Sequence, residues 1–332
     1  MRFLPLFREV GLSLLFLHSL VWRAETSSNQ IRSLAISPDG KFIAVEFGND
    51  RTSLIYKIGV DTGVANRLTD ATTGLESGPA FSPDGKRIAY SYSPPSRAHS
   101  IIVTVSVDGS ALHLWASSGG NDYWPVFSPD NKTMVFARSG YYGSYSPIVQ
   151  PHPHAWSFYL ADLDGAKVRQ LTDESFYMAS PPSVSPDGKS IVVVTEDLDT
   201  PQKIAVYSLD HAGKPLQMLR PHIPKEPNHE PELDYPNYMP GGKSILFMAA
   251  SNGKLWAGYD YDVYRVDIDT GALERLTERN GFATDLRVSG DGKTAGFLKW
   301  RSDWHGTPVK SEIYLLDVQT HKLTPLRVKG LN

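Results

Sequence analysis

A five-residue pattern, Ser-Pro-Asp-Gly-Lys, recurs along the chain and restricts the fold more than any other feature. An apolar stretch follows each copy, and the fifth and sixth copies keep the Gly-Lys pair with altered residues before it. Repeats about 50 residues long are typical of propellers and of solenoids. The six copies end at Lys41, Lys86, Lys132, Lys189, Lys243 and Lys293.

The residue types in this pattern predict a hairpin turn. Ser favours the first position of a type I turn, Pro fixes the next residue, and Gly accepts the left-handed conformation that closes the turn. In the third copy Asn131 replaces Gly, and Asn also tolerates this conformation. The copies that read Gly-Lys-Ser or Gly-Lys-Thr lack the earlier Gly that a phosphate-binding loop needs. We therefore interpret the pattern as architectural and expect its lysines to face solvent.

A second motif follows each turn and its strand. It consists of an apolar strand, a turn rich in Asp and Gly, and a short strand that ends on Leu, as in residues 262–277. Each repeat therefore has four strand signals, and its second strand is largely apolar on both faces, as expected for a strand covered on both sides. No helical period follows the N-terminal segment. These patterns predict an all-β, six-bladed β-propeller with four antiparallel strands per blade.

The recurring Ser-Pro-Asp-Gly-Lys turn, followed by Ile-Tyr and a closing Leu-Thr, resembles the repeat of the TolB-like propeller family. The resemblance covers about residues 34–327. The first repeat begins near Ile31, so we expect no counterpart of the N-terminal α/β domain of TolB. The repeat also resembles the propellers of prolyl-oligopeptidase-type peptidases, although the chain has no Gly-x-Ser-x-Gly elbow. It is similar, too, to that of oligogalacturonate lyases, which are seven-bladed and use a histidine-bound manganese.

Composition and the N-terminal residues bound the function further. The net charge of −3 and the absence of a basic run argue against nucleic acid as a partner. The chain has no cysteine, which excludes disulfides, thiolate nucleophiles and zinc–thiolate sites.

Arg2, Arg8 and the apolar stretch 10–22 predict a signal peptide over residues 1–24, with an uncleaved anchor as the alternative. We expect residues 25–332 to form one periplasmic or secreted propeller domain, monomeric and without a further membrane span.

In a propeller the turns between strands one and two, and between three and four, lie on one face, here called the turn face. The loops between strands two and three and the links between units lie on the opposite face, the loop face. All long insertions fall on the loop face, where binding sites on rigid scaffolds usually lie. The candidate ligand-binding residues there are Tyr123, Trp124, Tyr141, His152, His154, Trp156, His222, His229, Glu230, Trp256, Tyr259, Trp304 and His305.

Three interpretations of these loops remain open. The aromatic residues form a surface for a sugar or a peptide, or they pack the long loops on one another. His152 and His154, with His229 and Glu230, bind a divalent metal, or they are solvated histidines of a loop. Carboxylates of the link before the fifth turn act as acid and base, or they form a solvated acidic loop. Those carboxylates are Glu226, Glu230, Glu232 and Asp234.

The favoured function is that of a binding or scaffold protein that recognises a glycan, a peptide or an envelope protein through the loop face. The alternative is a metal-dependent saccharide lyase or hydrolase with a histidine and carboxylate site at the channel mouth. A divalent metal is the one cofactor that these residues suggest, and the sequence alone assigns no catalytic residue.

Overall fold

The structure, a computed structural model, describes residues 28–96, 99–115, 120–143, 152–197, 200–223, 231–254, 258–278, 280–302 and 308–331. Within these residues the chain forms twenty-five strands and no helix, so the all-β prediction is confirmed there. In particular, no described segment is a long apolar helix of the kind that crosses a membrane. The predicted signal peptide lies outside the described residues.

The strands follow one another in six units, numbered like the repeats. Unit one contains β1 (Gln30–Ile36), β2 (Phe42–Gly48), β3 (Thr52–Gly59) and β4 (Ala65–Arg67). Unit two contains β5 (Gly74–Phe81), β6 (Arg87–Ser93), β7 (Ile101–Ser106) and β8 (His113–Leu114). Unit three contains β9 (Asn121–Phe127), β10 (Thr133–Gly143), β11 (His152–Asp162) and β12 (Arg169–Gln170).

The second half of the chain repeats this order. Unit four contains β13 (Met178–Ala179), β14 (Ser183–Val184), β15 (Ser190–Asp197), β16 (Thr200–Ser208) and β17 (Gln217–Leu219). Unit five contains β18 (Glu232–Tyr238), β19 (Ser244–Lys254), β20 (Gly258–Asp267) and β21 (Leu273–Arg275). Unit six contains β22 (Ala283–Val288), β23 (Thr294–Ser302), β24 (Pro308–Asp317) and β25 (Leu323–Pro325).

Antiparallel pairing within each unit follows the order of the chain, with one departure from the predicted four strands. In unit four the first strand is split into β13 and β14, which both pair with β15. Pro181 and Pro182 stand between the two pieces. Because proline has no N–H to give to a strand ladder, the pairing is interrupted there.

The repeated turns have the conformation that their residues predict. The residue that precedes each lysine has a φ between 59° and 71°, in the left-handed region: Gly40, Gly85, Asn131, Gly188, Gly242 and Gly292. In the second turn Ser82 Oγ donates to Asp84 Oδ1 at 2.6 Å, and the Lys86 N–H donates to the same oxygen at 3.1 Å. All six turn lysines are exposed, so the architectural interpretation is confirmed.

The hydrophobic core is divided among the junctions between consecutive units. Six clusters of buried side chains lie between units one and two, two and three, three and four, four and five, five and six, and six and one. Contacts between the first strands run through the same circle, from β1 to β5, β9, β14, β18 and β22, and back to β1. Each sheet therefore buries both faces against its neighbours, and the first strands surround the centre.

Unit six meets unit one without a covalent link between them. The Leu34 N–H donates to the Asp285 carboxylate, and Ser311 Oγ donates to the Ile31 carbonyl at 2.6 Å. After β25 the chain crosses to unit one, where the Lys329 N–H donates to the Gly63 carbonyl and the Ala65 N–H donates to the Lys329 carbonyl, both at 2.8 Å. These contacts hold unit six against unit one.

Candidate functional site

The first strand of four units contains a bulge near its middle, and the bulged residue has a positive φ. The pairing register with the second strand shifts at each of these places. Non-glycine residues with positive φ are uncommon, and such strained residues cluster at functional sites. The bulged residues all stand four positions before the first residue of the turn: Gly78, Trp124, Tyr235 and Asp285, with φ between 50° and 61°.

An aromatic cluster of Tyr123, Trp124 and Trp156 lies at the bulge of unit three. The rings of Trp124 and Trp156 are stacked, with centroids 4.6 Å apart and planes at 20°, and Tyr123 meets Trp156 edge-on at 5.5 Å. Trp156 is only 5% exposed, whereas Tyr123 and Trp124 are half-buried. The Trp124 N–H donates to Ser91 Oγ of unit two at 3.2 Å, which helps to hold the bulge in place. The buried Trp156 thus packs against the ring of Trp124, which stays partly exposed.

A second stack in the same unit involves Tyr141 and His154. The His154 ring lies between Tyr141, at 6.1 Å, and Tyr177 of unit four, at 5.5 Å. His154 is fully buried, while Tyr141 is 44% exposed. The long β10–β11 hairpin explains this placement, because Tyr141 and His154 are direct partners across its ladder. In this position His154 packs the hairpin, whereas Tyr141 is accessible.

Of the remaining candidate residues, the structure describes one side chain and the backbone of two others. His222 is exposed and follows β17, between units four and five. His152 pairs with Gly143, and Tyr259 pairs with Gly253, through the backbone. The others lie outside the described residues: His229, Glu230, Trp256, Trp304 and His305. The structure thus places the five candidates of unit three whose side chains it describes in two stacks, one of Tyr123, Trp124 and Trp156 and one of Tyr141 and His154.

An acidic cluster of Glu46, Asp234 and Asp285 lies on units one, five and six. All three carboxyl groups belong to strands and are buried, with Asp234 and Asp285 each 4% exposed. Ser33 Oγ donates to Glu46 at 2.7 Å, the Tyr235 N–H donates to Asp234 at 2.8 Å, and Arg287 pairs with Asp285 at 2.9 Å. Beside the cluster, Tyr261 Oη donates to Glu232 at 2.7 Å.

Burial is the main cause of the raised pKa values of these carboxyl groups. It raises the pKa of Glu46 to about 7 against the opposing charge of Arg32, and it raises the pKa of Asp234 to about 7 against Arg287. The negative charge of Asp285 raises both values further, so Asp285 lies within electrostatic reach of both groups. A carboxyl group that holds its proton near neutral pH can donate a hydrogen bond as well as accept one.

The sequence prediction missed most of this cluster. Glu232 and Asp234 were candidates for acid and base, but the alternative of a solvated loop is wrong for them, because both lie in β18 and are buried. Glu46, Asp285 and Arg287 were not singled out. The alignment of the repeats could have pointed to this cluster. Asp285 and Tyr235 stand at the same position of the first strand as Trp124.

A metal site is not formed by the described part of the chain. No group of three or more His, Asp or Glu residues there is placed to hold a metal ion. Of the predicted ligands, His154 is buried between two tyrosines, and His229 and Glu230 lie outside the described residues. The predicted divalent metal therefore stays a prediction.

Antiparallel sheets that pack against one another in a circle define a β-propeller. A family model described as the TolB beta propeller domain matches residues 22–210, more than half of the chain. The chain therefore belongs to the TolB β-propeller family, which confirms the resemblance seen in its repeats.

Individual similar proteins agree with this assignment. An uncharacterized protein of Agrobacterium fabrum is 33% identical over 162 residues, which are 48% of this chain and 52% of that protein. The chain thus matches about half the length of this curated relative. TolB from Acinetobacter baumannii has a TM-score of 0.61 and 18% identity, covering 91% of this chain and 64% of that one. A putative TolB from Agrobacterium tumefaciens has a TM-score of 0.63 and 20% identity, covering 84% and 89%. At these identities the two structures show similarity of fold alone.

Proposed function

We propose that the chain is an exported, six-bladed propeller that acts as a binding or scaffold protein. It recognises a glycan, a peptide or an envelope protein through its loop face. The six blades are supported by the six junction clusters and by the circle of contacts between first strands. Export is supported by the basic and apolar start of the sequence.

The geometry of Trp124 carries this proposal. Its backbone is held at a φ of 54°, and its half-buried ring is stacked on the buried Trp156. Keeping a non-glycine residue in this conformation costs about 1–2 kcal/mol, whereas unit two has Gly78 at the equivalent position. A rigid aromatic ring at the loop face binds a sugar ring or an apolar side chain with little loss of entropy.

Removing this ring should weaken binding without unfolding the protein. We expect a soluble oligosaccharide or a short peptide to change the intrinsic tryptophan fluorescence of the wild-type chain in a saturable way. In Trp124→Gly the affinity for that ligand should fall about tenfold or more, as for a central aromatic contact. Fluorescence titration with a panel of neutral and acidic oligosaccharides and peptides measures this.

Two variants serve as controls for this loss. Trp124→Gly should be at least as stable as Trp124→Ala, because glycine adopts the positive φ without strain. Trp115→Phe changes a buried tryptophan of unit two, 6% exposed, and should leave affinity unchanged. A ligand that binds Trp124→Gly as tightly as the wild type would argue against the aromatic cluster as the site.

The alternative function, a metal-dependent saccharide lyase or hydrolase, has its own test. If a histidine and carboxylate site exists, purified protein should retain a divalent metal, and His229→Ala should lose it together with any saccharide cleavage. His113→Ala, an exposed histidine of β8, is the matched control. Elemental analysis that finds no metal in wild-type protein after exposure to Mn²⁺ and Zn²⁺ would exclude this alternative.

A further inference from the structure

The turn face contains an open pocket between units one and two. It has a volume of about 460 Å³ and is bounded by the repeated turns of both units and by the turn that follows β7. Its walls include three apolar side chains and two carboxylates: Phe42, Phe81, Val107, Asp39 and Asp84. All residues of these turns are described. We call this site the turn-face pocket.

The pocket lies far from the first described residue, Ser28. β1 leads from that end of the chain to the turn face, and its seven residues span about 23 Å at 3.3 Å per residue. The walls of the pocket are therefore complete without any contribution from the loop-face end of β1.

The neighbouring junction, between units two and three, shows what the equivalent place holds. There the guanidinium group of Arg87 lies over the ring of Phe127, 5.4 Å from the ring centroid. The same group donates to Asn131 Oδ1 at 3.0 Å, and Asn131 Nδ2 donates to Asp84 Oδ2 at 3.2 Å. Arg87 is thus held by an aromatic face and, through one amide, by a carboxylate.

The turn-face pocket has the same aromatic wall but no arginine beside it. Phe81 precedes its turn as Phe127 does and is half-buried, whereas Phe127 is only 4% exposed. Phe42 stands at the position of Arg87 and is 39% exposed. Lys57 Nζ lies 5.3 Å from the centroid of the Phe42 ring and donates to a backbone carbonyl of unit two. The ring of Phe81 is therefore open to a further group.

Asp39 is the carboxylate that corresponds to Asp84 of the neighbouring junction. Its Oδ1 accepts hydrogen bonds from Ser37 Oγ at 2.7 Å and from the Lys41 N–H at 3.1 Å, and its Oδ2 lies 3.9 Å from the exposed Lys41 ammonium group. The bond from Ser37 is the main cause that lowers the pKa of Asp39, so this group is ionised at neutral pH. Gly85 stands where the neighbouring junction has its bridging amide, so a cation in the pocket can reach Asp39 directly.

A third junction provides a comparison. Between units six and one, the equivalent pocket has a volume of about 350 Å³. It has Ile36 in the place of Phe81 and Thr294 in the place of Phe42. Neither side chain offers a ring face to a cation, so the aromatic walls distinguish the turn-face pocket from this counterpart.

We propose that the turn-face pocket binds an arginine side chain of a partner protein. The guanidinium plane would lie against Phe81, as in the neighbouring junction, and would pair with Asp39. Among the charged side chains that line the pocket, Asp39 and Asp84 outnumber Lys57, which favours a cation over an anion. Arginine fits better than lysine, because a flat guanidinium group both stacks on rings and pairs with carboxylates. This surface is opposite to the loop face and does not depend on the aromatic cluster of unit three.

Three blocked tripeptides test the chemistry of the ligand. Acetyl-Ala-Arg-Ala-amide carries the guanidinium group, the citrulline analogue keeps its shape without the charge, and the lysine analogue keeps the charge without the flat group. In an NMR titration of the full chain, we expect the arginine peptide to shift the backbone amides of Gly85 and Val107 in a saturable way. Its dissociation constant should be at least about threefold lower than that of either analogue.

A substitution at Phe42 tests the location. In Phe42→Arg, unit one acquires the residue that unit two has at this position, and its own guanidinium group should fill the pocket as Arg87 does in the next junction. We expect the saturable binding of the arginine peptide to be lost. Ser244→Arg makes the same change of charge at the same position of unit five and should leave the affinity unchanged. A thermal melt verifies that both variants are folded.

A second pair of variants tests the carboxylate. Asp39→Asn keeps an oxygen that accepts the bond from Ser37 and should weaken the arginine peptide about threefold or more. Asp187→Asn is the matched control, because Asp187 accepts the same bonds in unit four, from Ser185 Oγ at 2.6 Å and from the Lys189 N–H at 3.1 Å. Absence of saturable shifts, equal binding of the arginine and citrulline peptides, or unchanged affinity in Phe42→Arg would overturn the proposal.

Further measurements identify the source of the arginine. The proposal is wrong if free arginine binds more tightly than the blocked peptide, because the pocket is then a small-molecule site. It is also wrong if the peptide binds a variant that begins at Ser28 but not the full chain, or if sedimentation shows a dimer that dissociates in Phe42→Arg. Equal affinity of the full and shortened chains supports a partner protein. Trp124→Gly should leave the affinity unchanged, so this outcome is independent of the aromatic cluster.

Discussion

Gly63→Ala is expected to lower the free energy of unfolding by about 1–3 kcal/mol more than the same change at Gly271. Both glycines occupy the same turn of their units, with φ of 66° and 71°, so both substitutions bring an alanine into the left-handed region at about 1–2 kcal/mol. A Cβ at Gly63 would lie 2.0 Å from the carbonyl oxygen of Arg327, whereas a Cβ at Gly271 meets open space. The additional loss comes from displacing the segment that joins unit six to unit one.

Chemical denaturation followed by circular dichroism measures both values. Gly271→Ala is the matched control, because it shares the turn and the conformational cost but lacks the contact with another unit. Equal losses for the two variants would mean that the segment around Arg327 contributes little to closing the circle. A larger loss for Gly63→Ala, with an unchanged denaturant slope, assigns the difference to this contact.

Replacing Glu46 with Gln should remove one contribution to the pH dependence of stability. The pKa of Glu46 rises from an ordinary value of 4.5 to about 7 in the folded state, chiefly through burial. Between these two values the folded chain binds more protons than the unfolded chain, so its stability falls as the pH rises through this window. The shift corresponds to about 3 kcal/mol, all of which is present below pH 4.5 and lost above about pH 7.

Glu46→Gln keeps an oxygen that can accept the hydrogen bond from Ser33 and carries no charge at any pH. We expect the variant to be more stable than the wild type at pH 8 by up to about 3 kcal/mol and similar to it at pH 4.5. Denaturation series at several pH values measure the difference. Asp269→Asn, which removes an exposed carboxylate, controls for net charge. If the two variants show the same pH profile, Glu46 is not the group responsible.

Local chemistry made the fold predictable from the sequence. The turn at Gly85 and the exception at Asn131 follow from the conformations that Gly and Asn adopt and other residues avoid. The apolar residues on both faces of the second strands predicted sheets covered on both sides, as observed at Ile43 and Ala44. The break in the first strand of unit four was not predicted, although Pro181 and Pro182 explain it.

The candidate site was less predictable because it depends on contacts between units. Trp124 and Trp156 were identified as aromatic residues of the loop face, but their stacking follows from the bulge in β9 and the pairing of β10 with β11. The contact between Asp285 and the backbone of Leu34 joins positions 251 residues apart. A pattern within one repeat cannot indicate such a partner. The acidic cluster is built from units one, five and six, which are far apart in the sequence.

The non-covalent closure also affects the order in which the molecule can fold. Five of the junctions join neighbouring stretches of chain, so their contacts are local and form at a small cost in loop entropy. The last junction joins Gln30 to Ser311, which are 281 positions apart, and it cannot form before unit six exists. Closing this junction therefore carries the largest loop entropy of the six. It also buries the outer faces of units one and six, which no other junction covers.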